Sequence, residues 1–208
     1  MRPPADHSAE VLFLRKTPYQ DNACIFTGIS PELGRMVFYL RLPAPGSRKH
    51  NTFFDIFQFV QVEYRHSSSE MCFCQNGIVL ADYTAVANHR NGFETACLLA
   101  QFALANVPPQ LAMPKFFQAL RVAMIRLQTP EAIDRNGVLT GVALTYLNEA
   151  GWLSPVEMPT SEAAQCEMLL RMAAGGDIPA LTPQVWSALR QWTQSRLLDA
   201  DCKEIHWE

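Results

Sequence analysis

No stretch of this chain holds the roughly 20 consecutive apolar residues that a helix needs to cross a bilayer. The opening segment, Met1–Glu10, is polar and carries two prolines, so it lacks the apolar centre of a secretory signal peptide. The cytoplasm is therefore the expected compartment. Phosphate-cradling loops of the Walker type and the dinucleotide fingerprint are missing. So are a nucleophile elbow and an H-E-x-x-H zinc helix. The histidines, His7, His50, His66, His89 and His206, fall at termini or in expected loops, with no base–nucleophile pairing to Cys or Ser in sequence. A non-enzymatic role follows. Paired cysteines are lacking too: Cys24, Cys72, Cys74, Cys97, Cys166 and Cys202 are scattered, and a chain of 208 residues needs no disulfides, so they read as reduced, mostly buried thiols. Cys72 and Cys74 on a strand would face one side, but zinc sites favour pairs two to four residues apart with a second pair elsewhere. An excess of positive charge is also missing. The net charge of -3 does not announce a nucleic-acid binder, although a global sum hides local patches.

What is present suits a folded chain: 49% of residues are hydrophobic, enough for a packed core in one large domain or two small ones. The segment from Val11 to Leu42 organises the first half. Its apolar runs Val11–Leu14, Cys24–Thr27 and Met36–Leu40 are separated by Thr17-Pro18-Tyr19 and by Ser30-Pro31-Glu32-Leu33-Gly34. Short Val-, Ile-, Phe- and Tyr-rich runs between such breakers are strands. Met1–Ala9 reads as a flexible lead-in and Pro43–Asn51 as a basic loop. Phe53–Arg65 reads as a strand with Val60, Val62 and Tyr64 on one face, Ser67–Ser69 as a turn, and Glu70–Cys74 as a fifth strand. Five twisted strands closed on themselves describe an OB-fold barrel, expected over residues 1–80.

From residue 81 onward the pattern becomes helical, giving an α+β chain with the barrel first and an all-α domain over 81–208. Phe93, Cys97, Ala100, Leu104 and Val107 fit one helix face, and Pro108-Pro109 ends that helix. Pro114 suits the first turn of the next, with Phe117, Leu120, Met124 and Leu127 inward. A third helix over Gly137–Ala150 stops at Gly151, a fourth over Glu162–Ala173 takes Ser161 as its cap, and Thr182-Pro183 opens a fifth with Val185, Leu189, Trp192 and Leu197 inward.

The ordered segments Leu14–Asp21, Glu32-Leu33-Gly34-Arg35-Met36, Ser47-Arg48-Lys49-His50, Phe57–Tyr64 and Val142–Pro155 resemble those of the bacterial recombination mediator RecO. The resemblance covers roughly Glu10 to Leu198. It implies a non-catalytic DNA repair and recombination protein that binds single- and double-stranded DNA, anneals strands and, with RecR, assists RecA loading. On that reading Arg15, Lys16, Arg35, Arg41, Arg48 and Lys49 form the DNA groove, with Tyr19 and one of Phe38 and Tyr39 as stacking platforms. Phe38 reads rather as core, and single cations at strand ends ordinarily just solvate a barrel. The resemblance further implies a pocket for the acidic C-terminal tail of single-stranded-DNA-binding protein, with Lys115 and Arg121 as cations beside the stripe of Pro114–Leu127. Two departures stand out. Many RecO proteins carry a four-cysteine zinc site where only Cys166 lies here, so no metal is expected. The family's Lys-Gly step after the third strand is replaced by Leu42-Pro43-Ala44-Pro45, which removes a positive charge. That loss and the acidic sum favour a second reading, an interaction scaffold for RecR or for single-stranded-DNA-binding protein with little DNA affinity. A third, an enzyme or an unrelated protein of the same layout, stays open.

Overall fold

The computed structural model describes residues 6–41, 54–66, 71–129, 135–153 and 158–205. Among them run strands β1 (His7–Pro18), β2 (Ala23–Ser30), β3 (Gly34–Arg41), β4 (Gln58–His66) and β5 (Met71–Asp82), then helices α1 (Arg90–Asn106), α2 (Pro114–Leu127), α3 (Arg135–Glu149), α4 (Thr160–Ala173) and α5 (Pro183–Asp199). A 3₁₀ turn, Thr84–Asn88, precedes α1. The chain divides into two compact units: Met1–Ala85 with Val107–Ala112, and Val86–Asn106 with Met113–Glu208.

The first unit is a closed barrel in the order β1-β2-β3-β5-β4. β1 pairs antiparallel with β4 to shut the cylinder, and β3 meets β5 in parallel through Val37–Met71, Phe38–Cys72 and Tyr39–Phe73. This is the OB-fold barrel. Strand alternation builds its centre. β3 alternates strictly, with Met36, Phe38 and Leu40 inward. They join Phe13, Phe26, Phe54, Val60, Val62 and Tyr64, with Phe13 touching Phe26, Phe38 and Phe54 at centroid distances of 4.9, 5.9 and 5.7 Å. Rings in tilted and edge-on contact pack the interior of a narrow cylinder. Gly77 makes the room: a Cβ there would lie 2.6 Å from the Phe54 ring. Cys72 and Cys74 do face one side, inward into this core.

Several boundaries differ from the sequence expectation. His7–Ala9 are not lead-in but the first rungs of β1, paired with Tyr64, Glu63 and Val62. The strand expected from Phe53 begins only at Gln58, because Phe57 takes φ 64° and Asp55 N–H donates to Gln58 Oε1 at 2.8 Å, closing a turn. β5 runs eight residues past Cys74 to Asp82, even though Gln75-Asn76-Gly77 lack strand-forming side chains; pairing with β4 along its length overrides that weak local preference. The expected Pro43–Asn51 loop and Ser67–Ser69 turn lie outside the described residues.

A bulge has the largest consequence. Phe13 faces Gly28 but Arg15 faces Thr27, so Leu14 is the extra residue in β1. Gly28 allows the tight approach, since a Cβ there would lie 2.4 Å from the Leu12 carbonyl oxygen. The bulge reverses the alternation: Arg15 turns outward and Lys16 falls into the inner row opposite Phe26.

Val107–Ala112 clasps the β2–β3 turn. Arg35 N–H donates to the Pro108 carbonyl at 3.2 Å and Gln110 N–H to the Leu33 carbonyl at 2.8 Å, while Gly34 and Pro109 form a bridge. Gly34 has φ +63°, and a Cβ on it would meet Pro108 O at 2.3 Å.

In the second unit α3 is central. Every residue from Gly137 to Leu147 is buried, so this helix is apolar all round rather than striped. Gly137 lets Trp186 of α5 approach, and Gly141 lets Met172 of α4 do so. α2 turns Phe117, Leu120, Met124 and Leu127 inward as expected, whereas two other helices are rotated from the expectation. α1 buries Ala100 and Leu104 as expected, together with Leu99, Phe102 and Ala103, but leaves Phe93 exposed and Cys97 half-buried; α5 buries Trp186 and Thr193 with Leu189 and Leu197, leaving Val185 exposed and Trp192 half-buried. Ser161 lies inside the first turn of α4, whose cap position is Pro159 with no side-chain bond. Gly151 ends α3 at φ +81°, with Trp152 N–H on the Leu147 carbonyl at 2.9 Å, a Schellman closure.

α2 is capped from elsewhere in the unit. Its cap residue Met113 offers no side-chain acceptor, and Glu149 at the end of α3 supplies one. Glu149 Oε1 accepts from Lys115 N–H at 3.0 Å and Oε2 from Phe116 N–H at 2.6 Å, placing a carboxylate on the positive end of the helix. Asn106 pins the C-terminal segment: its Oδ1 accepts from Lys203 N–H at 2.8 Å and its Nδ2 donates to the Lys203 carbonyl at 3.1 Å. Tyr146 donates its hydroxyl to the Asn106 carbonyl at 3.0 Å, and burial is the main reason its phenol is pushed up to about 12.

Candidate nucleic-acid interface

Strand register fixes which side chains share the outer wall of the barrel. One continuous row crosses all five strands: Thr17 opposite Ile25, Ile25 opposite Tyr39, Tyr39 beside Phe73, Phe73 opposite Arg65. At about 4.8 Å per strand this row spans about 19 Å of curved wall. Tyr19, in the turn between β1 and β2, extends it. Its ring meets Tyr39 edge-on at 6.0 Å, and Tyr39 meets Phe73 edge-on at 5.6 Å. Tyr19 is 42% and Phe73 43% exposed, and Tyr39 between them is half-buried. Phe38 lies one position away at 0% exposure, in the core. Alternation therefore makes Tyr39, not Phe38, the residue of this pair on the wall.

Position on an OB-fold matters. Oligonucleotides lie across strands 2 and 3 between the loop joining strands 1 and 2 and the loop joining strands 4 and 5. Tyr19 sits in the first of these loops, Tyr39 on β3, and Phe73 three residues into β5, just beyond the second. The aromatic row thus occupies the face that other members of the fold use.

The candidate cations divide. Arg15 is exposed on the outer wall opposite Thr27, in the row next to the aromatics. Arg41 faces Ala23 and Arg35 faces Ile29, both also outward. Arg41 is exposed and two residues from Tyr39, about 7 Å along the strand. Arg35 is half-buried and at the far end of β3, with its backbone N–H in the Pro108 clasp. Lys16 does not join them. Its ammonium lies 5.6 Å from the Phe26 ring centroid, donates to the Phe54 carbonyl at 3.5 Å and pairs with Asp55 Oδ1 at 3.4 Å, so it closes one mouth of the barrel. Arg48 and Lys49 lie outside the described residues.

Two residues of the wall escaped sequence reasoning. Phe73 stands between Cys72 and Cys74 and was hidden by their pairing; once Cys72 is inward, alternation forces Phe73 out. Arg65 extends the row by pairing with Phe73, and its Nε lies 3.3 Å from Asp6 Oδ2. At the opposite edge of the inner row, His66 Nδ1 lies 3.8 Å from Cys72 Sγ and His7 stacks on Tyr64 at 5.5 Å. Burial pushes the Cys72 thiol up, which makes it less nucleophilic. Among the described residues no group of three or more His, Cys, Asp or Glu side chains is placed to hold a metal ion, and no helix is long and apolar enough to cross a membrane.

The candidate tail-binding cations divide as well. Lys115 is exposed on the rim of a cleft of about 500 Å³ between α2, α3 and α4, with Arg171 on the other side and Pro114, Leu170 and Ala174 as its apolar part. Arg121 is half-buried and is not among the residues lining that cleft. Arg171 is held by Glu167 at 2.6 Å.

Fold and wall together define the class, an OB barrel with an aromatic and cationic outer face, joined to a helical unit. No protein-family model matches the chain, and no curated protein matches it.

Proposed function

We propose that this protein binds single-stranded DNA on the outer wall of its barrel and acts as a RecO-like mediator of DNA repair and recombination. It would anneal complementary strands and assist RecA loading with RecR. One observation carries the reading: the contiguous rings Tyr19–Tyr39–Phe73, the outer two exposed and the middle one half-buried, on the outer surface of an OB-fold, with Arg41 two residues from Tyr39 on β3 and Arg65 opposite Phe73. Rings on such a wall stack with bases of any identity, and the arginines meet phosphates. Base stacking is worth about 1–3 kcal/mol per base, so Tyr39→Ala and Phe73→Ala are each expected to weaken binding of an oligo-dT by about 5- to 150-fold in fluorescence anisotropy. Arg41→Gln is expected to weaken it and to flatten the plot of log affinity against log salt by about 0.7. Unchanged affinity in Phe73→Ala and Tyr39→Ala would remove the assignment of this wall.

A specific observation favours the scaffold alternative. Lys16 is engaged by Asp55 and Arg65 by Asp6, so two cations near the barrel are already compensated. That reading expects anisotropy to stay flat with DNA at low salt while RecR or the single-strand-binding protein still binds. The Lys115 cleft supports a site for the acidic tail of that protein, with Lys115 and Arg171 meeting carboxylates. Lys115→Glu is expected to abolish binding of a labelled tail peptide and to leave oligo-dT binding unchanged.

A further inference from the structure

The barrel has a second outward side, built by β1, β4 and the later half of β5. Val11, Val60, Val62, Tyr64 and Val79 pack toward the core, so alternation turns Glu10, Gln61, Glu63 and Ile78 outward. Register gathers them. Ile78 lies opposite Gln61 and Gln61 opposite Glu10, while Asn76 lies opposite Glu63 and Glu63 opposite Ser8. β5 is bulged at this place. Val79 faces Val60 but Ala81 faces Phe59, so Leu80 is the extra residue, and it is exposed as well. The result is an aliphatic pair in water, Ile78 at 63% and Leu80 at 44% exposure. Carboxylates surround it. Glu10 and Glu63 stand on the neighbouring strands and Asp82 two residues past Leu80, all three exposed. Among the described residues no Lys or Arg pairs with any of them. Asp82 instead accepts from Thr84 and Gln58, and Arg65, two places beyond Glu63 on β4, is held by Asp6.

We propose that this side of the barrel docks a cationic amphipathic segment of a partner protein, with apolar residues on Ile78 and Leu80 and Lys or Arg side chains on the carboxylates. Charge selects the occupant. A nucleic-acid backbone is repelled here, and so is an acidic peptide. An apolar surface without cations would leave the three carboxylates unpaired beside a dry contact. Lys and Arg instead lay their stems on the aliphatic pair and hold their charge at its rim. Dimensions agree. Ile78 and Leu80 are two residues apart on β5, about 7 Å, close to the rise of about 6 Å between residues i and i+4 of a helix. Glu63 and Glu10 lie one and two strands away, about 5 and 10 Å to the side, within reach of residues flanking the apolar stripe of a helix about 10 Å wide. The proposal does not rest on DNA binding at the aromatic wall.

The test is an amide NMR titration of the whole chain with a helical peptide made only of Leu and Lys, and with its Leu/Glu counterpart. The proposal expects saturable shifts of the Ile78, Leu80 and Glu63 amides with the first peptide and none with the second. Ile78→Ser is expected to weaken binding at least about fivefold. Glu63→Lys is expected to weaken the Leu/Lys peptide about fivefold and to let the Leu/Glu peptide bind, a gain that misfolding cannot mimic. Equal shifts with both peptides, or affinity unchanged in both variants, would overturn the proposal. So would shifts of these amides on raising the protein concentration without peptide, which assign the surface to a second copy of the chain. Oligo-dT is expected to leave these amides unmoved, and Tyr39→Ala to leave the peptide titration unchanged, which separates this surface from any failure of the barrel reading. Oligo-dT shifts as large at Ile78 as at Phe73 would count against it.

Discussion

At the scale of single residues, the position of each side chain follows from a few backbone events. Gly34 and Gly151 both take positive φ, at +63° and +81°, but only Gly34 has backbone against it. Gly151→Ala is expected to cost about 1–2 kcal/mol, the penalty of a Cβ in that region. Gly34→Ala adds a clash with Pro108 O at 2.3 Å, and urea unfolding is expected to show a clearly larger loss. Asp82 gives a pH signature. Its carboxyl is held below the usual range, first by the Thr84 hydroxyl at 2.6 Å, then by the Thr84 N–H at 2.8 Å, with Gln58 adding at 3.0 Å. A depressed folded-state value stabilises above the unfolded value, about pH 4, and that contribution is lost as pH falls through the folded one. The advantage of the native chain over Asp82→Asn is therefore expected to be full at pH 6 and to shrink below about pH 4 in denaturant titrations. Alternation put Phe38 and Tyr39 on opposite faces, and the structure assigns Phe38 to the core and Tyr39 to the wall. The expectation for Lys16 failed because the extra residue at Leu14, which leaves no mark in composition, turns Lys16 into the inner row.

At the scale of elements, the sequence spoke clearly where local and long-range preferences agree. The first three strands are short runs of strand formers between Pro- and Gly-bearing breaks, and α2 has both a proline in its first turn and a clean apolar stripe. β5 was cut short because polar residues and Gly77 sit where only pairing with β4 makes them a strand. α1 and α5 carry apolar residues on more than one face, so periodicity alone left their rotation open by about one position. The cap of α2 was invisible in principle, since its acceptor lies 34 residues away at Glu149. Glu149→Ala is expected to lower stability by about 1–2 kcal/mol, read as a fall in Tm of about 2–8 °C, and Glu149→Gln by less. Because that carboxylate already occupies the N-terminus of α2, an acidic peptide at the Lys115 cleft must rely on the Lys115 and Arg171 side chains rather than on the helix end.

At the scale of the whole molecule, the acidic sum of -3 conceals unequal neighbourhoods. Arg15, Arg41 and Arg65 all point outward from the barrel, with Arg41 two residues from Tyr39 and Arg65 opposite Phe73. The architecture was legible because a change of period from two to between three and four marks the change of class. The candidate wall was only half legible: Arg15, Arg41, Tyr19 and Tyr39 were in view, but Phe73 and Arg65 join them only when register brings Tyr39, Phe73 and Arg65 into one row. Salt is expected to separate the two kinds of contact. Raising sodium chloride weakens the arginine contribution steeply and leaves ring stacking largely in place, so the Phe73→Ala defect is expected to persist at high salt while the Arg41→Gln defect fades.

The return of residues 107–112 to the barrel has a practical and an evolutionary consequence. The polypeptide passes between its two units three times, so no single scission yields two intact halves. A fragment ending at residue 85 would leave the bend after β2 without its clasp, and one beginning at 86 would carry an orphaned strap. Shuffling by simple end-to-end fusion is closed to such a chain, and its two parts are inherited, expressed and degraded as one.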